Sequence, residues 1–79
     1  MSKMIGAFVL ITTKSGAEKA AVDALKKFSE VKEARILYGE YDIIAKIQAA
    51  DIQKLNSFLL EKVRPISDIE STSTLIVAA

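Results

Sequence analysis

Apolar residues recur along this chain with two different periods. Residues 4–13, Met4-Ile5-Gly6-Ala7-Phe8-Val9-Leu10-Ile11-Thr12-Thr13, are apolar at odd and even positions alike and rich in β-branched types. That pattern predicts a strand with apolar surroundings on both faces. Ser15-Gly16-Ala17-Glu18 follows with the spacing of a capping box, in which a hydroxyl and a carboxylate three residues apart each accept from backbone N–H groups of a first helical turn. Beyond it Ala17, Ala20, Ala21, Ala24, Leu25 and Phe28 recur at helical spacing, and Lys19, Asp23 and Lys27 mark a charged opposite side.

The middle of the chain returns to a period of two. Residues 31–38 and 41–49 flank Gly39-Glu40, and a two-residue loop with glycine first fits a type II′ hairpin. Placing Tyr38 opposite Tyr41 sets Ile36 against Ile43 and Ala34 against Ala45 on one face, with Glu33 against Lys46 on the other. The first face (Tyr38, Ile36, Ala34, Tyr41, Ile43, Ala45, Ile47) is expected to meet the helices. The second (Leu37, Arg35, Glu33, Asp42, Ile44, Lys46) mixes apolar residues with paired charges. Asp51 is placed to cap a second helix over 51–63, with Ile52, Leu55, Phe58, Leu59 and Lys62 or Val63 facing inward and Pro65 ending it. Residues 67–78 alternate weakly and close on Thr74-Leu75-Ile76-Val77, a fourth strand.

The order βαββαβ predicts an α+β, ferredoxin-like sandwich, a four-stranded antiparallel sheet with two helices on one face. Two helices cover one face of such a sheet, yet the first strand is apolar on both. The uncovered face is therefore expected to dimerise, packing on the same face of a second copy.

Composition narrows the chemistry. At 79 residues, residues 1–79 form a single domain. The chain is 51% hydrophobic with a mean hydropathy of +0.27, high for a size class that buries only about 60% of its unfolded surface, which again favours self-association. It has no Cys, His or Trp, so disulfides, thiolate or imidazole metal sites and a histidine base are excluded, and neither metal nor cofactor is expected. Eleven Lys and Arg against 10 Asp and Glu leave a charge of +1, which lacks the basic excess of a DNA-binding surface. The apolar run Ile5–Ile11 is shorter than the ~20 residues of a membrane span and too close to Met1 for a signal peptide. A cytoplasmic protein with no membrane partner is expected.

Two polar segments can carry chemistry: Tyr38-Gly39-Glu40-Tyr41-Asp42 and Ser71-Thr72-Ser73-Thr74. Each has a purely structural explanation. The first can be turn chemistry, with Gly39 at positive φ, Asp42 paired with Arg35 and the tyrosines capping the core. The second can be a solvent-facing edge strand. Together they also hold what a zwitterion requires: carboxylates (Asp42 or Glu40) for an ammonium, and N–H groups beside Gly39 or threonine hydroxyls for a carboxylate. Thr72 and Thr74 share a strand face, whereas Ser71 and Ser73 point the other way. Arg35 and Lys46 read most simply as cross-strand ion-pair partners.

The run Val31-Lys32-Glu33-Ala34 leading to Tyr38-Gly39-Glu40-Tyr41-Asp42-Ile43-Ile44, with Ser71-Thr72-Ser73-Thr74-Leu75-Ile76-Val77 after the second helix, resembles the effector (RAM) domain of the leucine-responsive regulatory protein (Lrp/AsnC) family. The resemblance covers essentially the whole chain. It implies a transcription-regulating, non-enzymatic domain that forms sheet-to-sheet dimers and rings such as octamers, with a free amino acid bound between dimers. By position it implies a pocket of Tyr38, Gly39, Glu40, Tyr41, Asp42, Asn56, Thr72 and Thr74. The neutral amide of Asn56 points to a neutral or amide amino acid. Family members usually carry a helix-turn-helix ahead of this domain, whereas this chain starts at strand one. The resemblance is thus to the stand-alone type, which acts indirectly, without its own DNA contact, and can join full-length Lrp/AsnC regulators.

Two other functions compete. One is an assembly adaptor for such regulators that takes no ligand. The other is a small dimeric α+β-barrel enzyme without cofactor, of the oxygenase or isomerase type, whose cavities usually carry His, Asn or Trp; this chain has neither His nor Trp.

Overall fold

In a computed structural model, which describes residues 4–77, the odd-numbered side of the first strand is fully withdrawn from solvent at Ala7, Val9 and Ile11. This strand, β1 (Ile5–Thr13), is central. It pairs antiparallel with β3 (Ile43–Ala49) on one side and β4 (Ile69–Ile76) on the other, and β2 (Val31–Ile36) completes the order β2-β3-β1-β4. Residues opposite one another share a face, so Ala7, Val9 and Ile11 line up with Ile47, Ala45 and Ile43. All six are buried. Helices α1 (Glu18–Lys26) and α2 (Ile52–Phe58) cover this face with Ala21, Val22 and Leu25, and with Leu55 and Phe58. Phe28, just beyond α1, meets Phe58 edge to face at 5.4 Å and 85°, joining the two helices. The ferredoxin-like sandwich is the observed fold.

The hairpin register is the expected one, with Ile36 opposite Ile43, Ala34 opposite Ala45 and Glu33 opposite Lys46. The turn is not. The strands stop at Ile36 and Ile43, and Gly39 has φ +144°, far from the roughly +60° of a type II′ corner. One more ladder bond forms, from Leu37 N to the Asp42 carbonyl at 2.8 Å. The Asp42 N–H then turns away to the Ile11 carbonyl of β1 (2.9 Å), and the wider loop this produces leaves Tyr38 fully exposed rather than over the core. Ile36, also assigned to the helix-facing side, is 48% exposed at this open end of the sheet.

Each helix also departs from its sequence pattern. The capping box does not form. Ser15 and Gly16 make a turn with Gly16 at φ +81°, and Ala17 occupies the N-cap position without a side-chain cap. The buried stripe of α1 is Ala21, Val22 and Leu25, whereas Ala20 is exposed, because burying the larger Val22 removes more apolar area from water.

Asp51 does cap α2, its carboxylate accepting from Lys54 N at 2.8 Å. The helix does not continue as α to Val63, however: Leu59–Val63 form a π-helical turn, marked by Arg64 N donating to the Leu59 carbonyl at 2.8 Å. Val63 rather than Lys62 turns inward, and Ile52, expected inside, is 48% exposed. Asp51→Ala is expected to lower stability by about 0.5–2 kcal/mol, the usual loss with an N-cap side chain, measurable by urea unfolding.

Candidate functional site

The even-numbered side of β1 stays uncovered. Phe8 (37% exposed) lies opposite Leu75 (55%) of β4, and Leu10 lies opposite Ile44 of β3, giving the open sheet face an apolar centre. Charges border it on β2 and β3. Arg35 donates to the Glu33 carboxylate, and that hydrogen bond, with the Arg35 charge and a smaller contribution from Lys46, holds the Glu33 carboxyl below the usual carboxylate range. Arg35 thus pairs with Glu33 and not with Asp42. The pair is well exposed, so its energetic weight is small.

Asp42 is occupied differently. Its Oδ2 accepts from the Thr13 backbone N–H at 2.8 Å, pinning the hairpin to the end of β1, while no bond to Oδ1 is made among the described residues. The carboxylate therefore does a turn's structural work and keeps one oxygen for another donor. Around it lies a cleft of about 450 Å³ between the hairpin (Leu37, Tyr38, Gly39, Asp42) and the start of α1 at Gly16 and Glu18. Glu40 is exposed and Tyr41 half-buried beside it. A Cβ at Gly39 meets nothing within 4 Å, so its positive φ, not lack of room, is what favours glycine there.

The other expected site residues lie on the opposite side of β1. Thr72 and Thr74 face Ile11 and Val9 across the β1–β4 ladder, on the helix-covered side. With Asn56, Leu59, Leu60 and Arg64 they line a groove of about 270 Å³ between β4 and the end of α2. No hairpin residue borders that groove, so a single chain holds the expected residues as two separate halves. Arg64 was not singled out by the sequence, where a basic residue before a proline reads as an ordinary helix ending. Among the described residues no three His, Cys, Asp or Glu converge as a metal site would require, and no helix is long and apolar enough to cross a membrane.

The Lrp/AsnC ligand binding domain family matches residues 6–79. The chain belongs to that family. Regulatory protein AsnC of Escherichia coli is 36% identical over 74 residues, 92% of this Lrp/AsnC chain and 49% of its own length. Its structure superposes with a TM-score of 0.90. The structure of FFRP-DM1 is 40% identical at the same TM-score, the match covering 92% of this chain and 97% of that one. A transcriptional regulator of Neisseria meningitidis, solved as an L-Met complex, shares the fold at 18% identity (TM-score 0.87). The curated relatives, among them HTH-type transcriptional regulators of Pyrococcus, are transcriptional regulators, and the chain spans about half the length of those it matches.

Proposed function

We propose that this Lrp/AsnC domain, residues 1–79 acting as one unit, senses a small free amino acid in the cytoplasm. It binds the ligand between copies of itself, and acts on transcription through assembly rather than through catalysis or its own contact with DNA. The division of the polar residues carries this reading. Acceptors for an ammonium, Glu40 and the remaining oxygen of Asp42, stand at the hairpin, whereas the Asn56 amide and the Thr72 and Thr74 hydroxyls stand in the groove beside β4. A zwitterion is matched at both ends where the hairpin of one copy meets the groove of another.

The apolar centre of the open sheet face supports a dimer as the unit that brings copies together, with rings of dimers as the larger assembly. The L-Met complex of the Neisseria regulator, a protein of the same fold, agrees in ligand class.

Calorimetric titration with the proteinogenic amino acids tests the proposal. At least one is expected to bind more tightly than about 1 mM, a free energy near 4 kcal/mol. Asp42→Asn is the informative variant, because its side-chain oxygen still accepts from Thr13 N while the charge is gone. Loss of a charge-assisted hydrogen bond, about 1.5–3 kcal/mol, predicts binding weaker by roughly ten- to a hundredfold. If no amino acid binds, sensing is wrong and the ligand-free assembly adaptor takes its place; if Asp42→Asn binds like the wild type, Asp42 does not hold the ammonium.

A further inference from the structure

We infer that Arg64 is the carboxylate anchor of the site, so that the ligand's acid group lies against β4 and its ammonium points to the hairpin of the neighbouring copy. This rests on the amino-acid reading and goes beyond it in assigning the polarity of the bound ligand and a residue that recognises it.

Three observations meet at Arg64. First, its guanidinium forms no hydrogen bond or ion pair with any described residue, in contrast to Arg35, which is tied to Glu33. A cation ending a helix commonly hydrogen-bonds the last carbonyls, and Arg64 does not. Its donors are left for something else.

Second, Arg64 borders two adjoining grooves that also share Thr72. One, of about 270 Å³, holds Asn56, Leu60 and Thr74 as well. The other, of about 330 Å³, is bordered by Ile69, Glu70 and Ser71. A guanidinium offers paired N–H donors that fit a carboxylate, and a hydroxyl beside it adds another. Leu59 and Leu60 give the first groove an apolar wall for a ligand side chain.

Third, Arg64 closes the π turn: its N–H makes the 2.8 Å bond to Leu59 that defines the wider helical turn. Such turns are rare and occur frequently at functional sites. Glu70, bordering the second groove, sets a negative charge near the anchor and so disfavours a ligand with a second carboxylate. The ligand class is therefore an amino acid with one carboxylate and a side chain that is not acidic.

The test compares each amino acid that binds with its own α-amide, which keeps the ammonium and side chain but not the negative charge. Wild-type protein is expected to prefer the acid by at least about tenfold, as one charge-assisted hydrogen bond implies. In Arg64→Gln the acid is expected to bind no better than the amide, with amide affinity unchanged. Arg64→Lys, which keeps the charge but not the planar fork, is expected to retain part of the preference. Arg64 is exposed, so thermal melts of both variants should match the wild type.

If Arg64→Gln prefers the acid as strongly as wild type does, the carboxylate is held elsewhere and this inference falls while the sensing proposal stands. If the wild type binds no amino acid, the sensing proposal falls and takes the anchor with it.

Discussion

Leu10→Glu is expected to turn a dimeric or larger assembly into a folded monomer of 8.6 kDa. Leu10 sits mid-strand on the uncovered side of β1, opposite Ile44 on β3 and Ser73 on β4, with Phe8 and Leu75 nearby. In a two-fold dimer closed through this face, each copy would bury a carboxylate among apolar groups, and an unpaired buried ion costs several kcal/mol even after relaxation. The isolated protomer has no such difficulty, because the new side chain points to water and the helix-covered core is untouched. Light scattering coupled to size exclusion reads the mass, and circular dichroism shows whether the fold persists. Lys26→Glu, which adds a carboxylate at the exposed end of α1 on the far side of the sheet, is the control and should leave the assembly intact. An assembly that survives Leu10→Glu unchanged would mean that copies meet through some other surface.

Leu25→Ala is expected to remove a large part of the domain's stability. Leu25 is the largest side chain that α1 contributes to the core and is fully buried among the β-branched residues of the helix-facing sheet. Truncating a buried leucine costs about 2–5 kcal/mol through lost transfer energy and the cavity left behind. A chain of this size has roughly 4–12 kcal/mol in all. The midpoint of thermal unfolding should fall by roughly 10–30 °C. The substitution is best examined at high protein concentration as well as low, because association stabilises by mass action. A fall of only a few degrees would mean that the sheet rearranges to fill the space.

The sheet was legible in the sequence because its signals are local and repeat. A period of two fixes which residues of β2 and β3 oppose one another, and one misplaced residue would reverse both faces. The expected register from Glu33–Lys46 to Ile36–Ile43 is accordingly the observed one. Where the chain leaves an element, local pattern competes with distant partners. Nothing around Gly39 announces that Asp42 will spend its N–H on Ile11 and one carboxylate oxygen on Thr13, and it is these two bonds that open the loop. The Ser15–Glu18 box failed for a related reason, since Gly16 at positive φ made a turn where the box needs a capped helical start.

The π turn leaves no mark in apolar spacing, because Leu59 and Val63 are buried in it as they would be in an α-helix. Of the site, the residue types were legible but their grouping was not. Whether Thr72 shares a cavity with Asp42 or with Asn56 depends on which face β4 presents beside β1, and that is decided by the ladder.

The place of β1 bears on how the chain comes to fold. Its two neighbours, β3 and β4, are the third and fourth strands in chain order, so the earliest of the four strands is the last to have both its edges paired. A nascent chain that has emerged only through α2 carries β1 with one open edge and apolar residues on both faces, the kind of segment that joins other chains. Pairings this distant in sequence are also slow to close, since loop entropy must be overcome before they are rewarded. On the ribosome, the apolar open face is thus exposed before the edge beside it is sealed, and the arrival of β4 closes the route to edge-to-edge aggregation.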